Sequence, residues 1–121
     1  MNMLKAYERT NRTTANPKQA LLLLYDHAIS NLAKCEQIVV NNQGRGAYKH
    51  LVKAQEIITG LANSLSYDGQ LKEISTRLFS LYQNMMVKLS RVNLESGEAT
   101  ILAEVRGMLE ELREAWRQAK G

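Results

Sequence analysis

The sequence predicts an all-α fold, an antiparallel up-down four-helix bundle at residues 17–121 preceded by a flexible N-terminal segment at residues 1–16. Three observations carry that expectation. Apolar residues recur at alternating spacings of three and four through four separate stretches, the period of a helix with one buried stripe. Each stretch ends in a short polar connection that holds glycine or asparagine, the residues that terminate helices. Finally, 45% of the 121 residues are hydrophobic and only one is proline, so the chain has the apolar content for a single core and almost nothing that interrupts a helix.

The first helix starts at Asn16-Pro17. Asn16 is suited to cap it, Pro17 fits the first helical position because its missing N–H has no partner there, and Gln19 stands where a capping box is completed. Its stripe is Leu21, Tyr25, Ala28, Leu32, Cys35 and Val39, and it is expected to end at Asn41-Asn42-Gln43-Gly44-Arg45-Gly46. The second stripe reads Ala47, Leu51, Ala54, Ile58, Leu61 and Leu65, with Tyr48, Val52 and Ile57 beside it. Gly60 interrupts this helix at a cost of about 1 kcal/mol relative to alanine. After Ser66-Tyr67-Asp68-Gly69, the third stripe runs Leu71, Ile74, Leu78, Leu81, Met85, Leu89 and Val92, flanked by Phe79, Tyr82 and Met86. Asn93-Leu94-Glu95-Ser96-Gly97 makes the last connection, with Glu98 expected in the first turn of the fourth helix. That helix carries Leu102, Val105, Leu109, Leu112, Trp116 and Ala119, flanked by Ile101 and Met108. On its polar face Glu110 is paired by spacing with Arg113, and Glu114 with Arg117. Helices of about 20 residues joined by short turns place sequence neighbours antiparallel.

The chemistry these residues support is binding rather than catalysis. His27, Cys35 and His50 are too far apart for metal-ligand spacing, so no metal and no cofactor are expected. Gly44-Arg45-Gly46 lacks the third glycine and the preceding strand of a dinucleotide loop. No nucleophile has a base beside it, and the six carboxylates of residues 95–121 read as a solvated helix face; no catalytic residue and no enzymatic activity are expected. A single cysteine, Cys35, forms no internal disulfide and sits in an apolar stripe, which points to a reducing, cytoplasmic setting. Met1 to Thr14 has no apolar h-region, and the longest apolar run is Ala20 to Tyr25, so neither a secretory signal nor membrane insertion is expected. Residues 1–94 have a formal charge of +6 and residues 95–121 of −2, but no compact basic run is interleaved with aromatics, and nucleic acid is not the expected partner. His50-Leu51-Val52-Lys53-Ala54 resembles the core of the histidine phosphotransfer motif, with Gln55 standing where a small residue is usual and crowding a docked regulator. What remains unexplained is a surplus. Leu22, Leu23, Ile29, Ile57, Phe79, Met86, Ile101 and Met108 lie beside stripes that are already wide enough for a bundle, which favours apolar grooves for a partner.

A resemblance covers the whole chain. Ala6-Tyr7, Asn11, Thr14-Ala15-Asn16-Pro17 and Leu21-Leu22-Leu23-Leu24-Tyr25-Asp26 are similar to the N-terminal region of the flagellar export chaperone FliS family. Lys53-Ala54-Gln55-Glu56-Ile57-Ile58 with Leu61 and Ser64-Leu65 resembles its second helix, Leu78 with Leu81-Tyr82 and Met85 its third, and Met108-Leu109 through Leu112-Arg113-Glu114-Ala115-Trp116 its fourth. The chain departs from the family at His27, usually glycine, at Asn16, usually serine, and at Asn84, where a second tyrosine is common. The resemblance implies a cytosolic chaperone of type III flagellar export. Such a protein binds the disordered C-terminal segment of flagellin on the bundle's outer grooves, keeps the subunits from polymerising and docks on the export-gate component FlhA. On this chain it implies Ile57, Phe79, Met86, Ile101 and Met108 for the flagellin groove. It further implies Leu4 and Tyr7 for an N-terminal gate that also docks on the export gate, and a free protein that is a monomer or weak homodimer.

Overall fold

The computed structural model describes residues 5–8, 16–41 and 46–119. Its elements are α1 (Lys5–Glu8), α2 (Pro17–Val40), α3 (Ala47–Asn63), α4 (Leu71–Leu89) and α5 (Thr100–Gln118). The four long helices form a ring in which α2 touches α3 and α5, and α4 touches the same two from the opposite side. Contacts between α2 and α3 bring Asn31 to His50, those between α2 and α5 bring Asp26 to Arg113, and those between α4 and α5 bring Lys88 to Glu104. Along α2 and α5 the pairs Asp26–Arg113 and Glu36–Arg106 run in opposite order, and along α2 and α3 Leu24 borders Gly60 while Ile38 lies at Gly46. Lys88–Glu104 joins the end of α4 to the early part of α5, so these neighbours are antiparallel and the ring is up-down.

The start of α2 follows its sequence signals. Pro17 opens the helix and the Asn16 side chain accepts a hydrogen bond from the Gln19 backbone N–H at 3.1 Å. Inside the ring, the expected stripe of α2 is buried in full, as is that of α3 through Leu61 and Leu65. Among the described residues of α5, Leu102, Val105, Leu109 and Trp116 are completely enclosed, while Leu112 and Ala119 are half-buried. Enclosing a leucine or isoleucine in this way is worth about 1.5–3 kcal/mol relative to leaving it in water.

Helix α4 departs from expectation by one helical step. Its buried line is Ser75, Leu78, Tyr82, Met85 and Leu89, whereas Leu71 and Ile74 are half-buried and Leu81 is 38% exposed. The rotation is explained by the polar atoms it satisfies. Ser75 Oγ donates to the Ser66 carbonyl, fastening α4 to the preceding turn, and Tyr82 reaches a buried hydroxyl cluster described below. Glu98 also lies outside its expected place, because α5 begins at Thr100 with no side-chain cap. The turn before it is held locally instead: Asn93 Oδ1 accepts from the Glu95 N–H, Ser96 Oγ accepts from the Glu98 N–H, and Gly97 takes φ 78°, a conformation open to glycine. Finally, Glu110 pairs with Arg106 rather than Arg113, while the Glu114–Arg117 pair forms as expected.

Within the segment expected to be flexible, residues 5–8 form a helical turn that packs on α4. Ala6 is fully buried, its carbonyl accepting from the Ser66 N–H at 2.9 Å, and Tyr7 is only 2% exposed.

Candidate functional site: apolar grooves and a buried tyrosine cluster

The phase of each helix decides which side chains border which neighbour. On α5, Arg106 and Arg113 project to α2, where Arg106 holds Glu36 and Arg113 holds Asp26 at 2.5 Å. Lys18 adds a 2.7 Å bond from its ammonium to the Ala119 carbonyl. This α2–α5 side is therefore bridged by charge along its length. The opposite flank of α5 carries Ile101, Met108 and Leu112 toward α4, whose facing flank holds Ile74 and Leu81. One ion pair, Lys88 to Glu104 at 2.8 Å, crosses there. Phe79 and Met86 occupy the other flank of α4, toward α3, where the Thr59 hydroxyl meets the Met86 sulfur at 4.0 Å. Ile57 faces α2.

The five expected groove residues are thus not gathered into one groove. Ile57 belongs to the α2–α3 side, Phe79 and Met86 to the α3–α4 side, and Ile101 and Met108 to the α4–α5 side. All five are half-buried, and four of them pack on the core cluster. Ile101 instead borders a cavity of about 200 Å³ with Val92, Thr100 and Arg91 at the turn between α4 and α5.

The α2–α3 side holds the better-formed depression. A cavity of about 390 Å³ is lined by Tyr7, Leu21, Leu24, Lys53, Glu56, Ile57, Gly60, Leu61 and Ser64. Leu24 remains 42% exposed at its edge, and at Gly60 an added Cβ would meet nothing within 4 Å, so the missing side chain leaves the depression open.

Tyr7 forms part of this cavity and also enters the core. Its ring stands edge-on to Trp116, with centroids 5.6 Å apart, an arrangement favoured by the ring quadrupoles. Its hydroxyl lies 3.1 Å from the Leu61 carbonyl and 2.9 Å from the Tyr82 hydroxyl; the Tyr82 and Tyr25 hydroxyls are 2.5 Å apart, and Trp116 Nε1–H donates to Tyr25 at 3.0 Å. A phenol has one proton and the indole only donates. The run is satisfied when Trp116 donates to Tyr25, Tyr25 to Tyr82, Tyr82 to Tyr7 and Tyr7 to the Leu61 carbonyl. Burial drives all three phenols well above their ordinary value of 10.0, so they stay neutral. The spacing showed Tyr25 and Tyr82 as stripe or flank residues but gave no sign of this cluster, because its hydrogen-bonded partners are 54 to 91 residues apart.

Leu4 lies outside the described residues. His50 is half-exposed, with Nδ1 2.9 Å from Asn31 Oδ1. Among the described residues no group of three or more His, Cys, Asp or Glu side chains is placed to hold a metal ion, and no helix is long and apolar enough to cross a membrane.

The family model described as flagellar protein FliS matches residues 1–121. The chain belongs to the FliS family. It is 30% identical to the flagellar secretion chaperone FliS of Bacillus subtilis over 118 residues, covering 98% of this chain and 86% of that one. With the Salmonella typhimurium flagellar secretion chaperone FliS it shares 32% identity over 120 residues, covering 95% of this chain and 87% of the relative. A crystal structure of a bacterial flagellar chaperone shares the fold, with a TM-score of 0.74 at 20% identity over 93% of this chain and 90% of that one. This FliS-family chain is thus a member of a chaperone family of flagellar secretion, which is not an enzyme class.

Proposed function

We propose that this FliS-family chain is a cytosolic chaperone of type III flagellar export that binds the disordered C-terminal segment of flagellin, prevents its premature polymerisation and delivers it to the export gate through FlhA. The observation that carries this reading is the contrast between the sides of the bundle. The α2–α5 side is bridged by ion pairs, while the other three expose apolar flanks containing Ile57, Phe79, Met86, Ile101 and Met108. A disordered segment pays its ordering entropy on binding, and coupled folding and binding typically buries about 1,000–3,000 Å² to offset it. Grooves spread over three sides suit a ligand that wraps the bundle better than a compact one that docks on a single face.

Tyr7, with Leu4 before it, supplies the N-terminal gate. Withdrawing α1 would open the cavity between α2 and α3 and uncover the Tyr82 hydroxyl, the Leu61 carbonyl and the edge of Trp116. A ligand taking that place would supply apolar surface together with a hydrogen-bonding group. The released Tyr7 would then be available to the export gate. No metal, cofactor, nucleic acid or membrane insertion enters this reading, and the free chain is a monomer or weak homodimer.

The test is calorimetric titration of the full chain with a peptide spanning the flagellin C-terminus. One-to-one binding with a negative heat-capacity change is expected. Absence of binding at about 50 μM peptide, where a useful complex is well populated, overturns it.

A further inference from the structure

We propose that His50 is a phosphoacceptor, whose Nε2 takes a phosphoryl group from a small activated donor while Asn31 positions the ring and Lys34, Lys49 and Lys53 receive the phosphoryl oxygens. The α2–α3 cavity reaches along α3 from Lys53 to Ser64 and does not include His50. The inference does not depend on flagellin being the partner.

The orientation of the ring follows from two bonds. The Asn31 side-chain amide donates from Nδ2 to the His27 carbonyl at 2.8 Å, and its Oδ1 lies 2.9 Å from His50 Nδ1. An amide oxygen only accepts, so Nδ1 carries the proton. In the neutral ring the lone pair is then on Nε2, which has no hydrogen-bond partner among the described residues. Burial first, then the charges of Lys49 and Lys34, hold this imidazole below its ordinary 6.5, so at pH 7 and above it is neutral. A half-exposed ring fixed through one nitrogen and bare at the other is an oriented nucleophile. His27 is the contrast within the chain, an exposed imidazole whose ring has no such partner among the described residues.

The surroundings select an anionic electrophile. Arg77, Lys88, Arg106, Arg113 and Arg117 each have a carboxylate partner, whereas among the described residues Lys34, Lys49 and Lys53 have none. Lys49 adjoins His50, Lys53 follows it by one turn of α3, and Lys34 follows Asn31 by one turn of α2. Three ammonium groups repel a metal ion and attract phosphoryl oxygens as point charges. Gln55 crowds a docked regulator domain, but by helical periodicity it lies about 140° around α3 from His50, which leaves Nε2 open to a small donor.

In the step, the Nε2 lone pair attacks phosphorus and the N–P bond forms. The bond from phosphorus to the donor's leaving atom breaks with its electron pair, releasing ammonia from a phosphoramidate or a carboxylate from an acyl phosphate. The ring takes up the positive charge and keeps its Nδ1 proton against the Asn31 oxygen, so the step balances without an oxidant or a further proton. The product makes the basic start of α3 a reversible charge switch.

The experiment incubates the full chain at about pH 8, where imidazoles are neutral, with phosphoramidate in one arm and acetyl phosphate in the other. Phosphorus NMR and mass spectrometry of peptides kept alkaline, since the N–P bond is labile in acid, locate the label. His50 should be labelled about tenfold faster than His27, and His50→Gln should lose that label. Asn31→Ala should slow the labelling of His50 about tenfold, while Asn31→Asp, which still accepts from Nδ1–H, restores it. The Lys34→Gln/Lys49→Gln/Lys53→Gln variant should slow it by about threefold or more. Circular dichroism verifies that each variant is folded. Label from either donor on these terms supports the proposal, and the arm that labels identifies the donor class. Equal labelling of His27 and His50, label on lysine in place of histidine, or no label from either donor overturns it. So does a rate unchanged in Asn31→Ala or in the triple lysine variant, or lost equally in Asn31→Ala and Asn31→Asp. Flagellin is absent from the assay, so failure here and failure of the flagellin titration are separate results.

Discussion

The Tyr7 hydroxyl lies 2.9 Å from that of Tyr82, joining a four-residue helix to the middle of α4 across 75 positions of sequence. Without this bond a turn as short as α1 has little reason to exist, since isolated helices of such length are unstable in water. Its residence on the bundle is a matter of tertiary contacts: the Tyr7 ring against Trp116, the hydroxyl in the buried cluster, and the Ala6 carbonyl on the Ser66 N–H.

Tyr7→Phe keeps the ring contact and removes the hydroxyl, leaving the Leu61 carbonyl and the Tyr82 proton without their partner. Leaving such buried groups unpaired costs about 1–3 kcal/mol. We expect the single variants Tyr7→Phe and Tyr82→Phe each to lower stability in that range, and the double variant to lose less than their sum. The coupling should be about 0.5–3 kcal/mol, as for residues in one hydrogen-bond network. Urea unfolding followed by the fluorescence of Trp116, the chain's single tryptophan, measures all three. Strict additivity would show that α1 is not held through this bond.

The same cluster sets the alkaline limit of the fold. Tyr7, Tyr25 and Tyr82 have folded pKa values raised above the ordinary 10.0, by burial first. The stabilisation from keeping them neutral is complete below about pH 10 and is lost above it, because the unfolded chain releases these protons while the folded chain retains them. Each such phenol steepens the decline by up to about 1.4 kcal/mol per pH unit. The urea midpoint should therefore fall between pH 10 and 12, and fall less steeply in Tyr82→Phe. Parallel slopes for parent and variant would place Tyr82 in contact with solvent.

Which parts of this arrangement were legible beforehand follows from the range of the interactions. The buried lines of α2 and α3 were readable residue by residue, from Leu21 to Val39 and from Ala47 to Leu65, because helical periodicity is local. On α4 the apolar stripe was broad enough to accept Leu81 or Tyr82 as its centre. The choice fell to Tyr82 through hydroxyl partners on α1 and α2, which no local pattern encodes. For the same reason Ile57, Phe79, Met86, Ile101 and Met108 were recognisable as surplus flanks but not as belonging to three different sides. A helix's phase gives the flank, and only the ring order gives the neighbour. Arg113 illustrates the point, since its spacing suggested Glu110 and its partner is Asp26, 87 residues away.

Glycine positions offer opposite expectations within one chain. Gly60 lies inside α3 with open space around its would-be Cβ, so Gly60→Ala should raise stability by about 0.5–1 kcal/mol through a less flexible unfolded chain and better helix propensity. Gly97 has φ 78°, and there the same substitution should destabilise by about 1 kcal/mol despite equal room, because the Cβ strains the backbone. Thermal unfolding of the two variants compares the signs directly. Stabilisation at both positions would contradict the left-handed turn before α5.

Cys35 tests the core without altering it. The residue sits in the α2 stripe with no accessible surface, and burial, followed by the charge of Glu36, raises its thiol pKa to about 11. Only the thiolate reacts with alkylating reagents, so in the folded state both access and ionisation oppose the reaction. Modification by iodoacetamide at pH 8 should then proceed through unfolding. For a domain of ordinary stability, at least about 5 kcal/mol, that makes it slower than for a free thiol by a factor on the order of 10³ or more. The logarithm of the rate should rise linearly with urea, with the slope seen in equilibrium unfolding, since the reactive species is the open chain. A shallower slope would indicate that α2 opens at Cys35 by a local fluctuation rather than with the whole ring. A fast rate independent of urea would remove Cys35 from the core altogether.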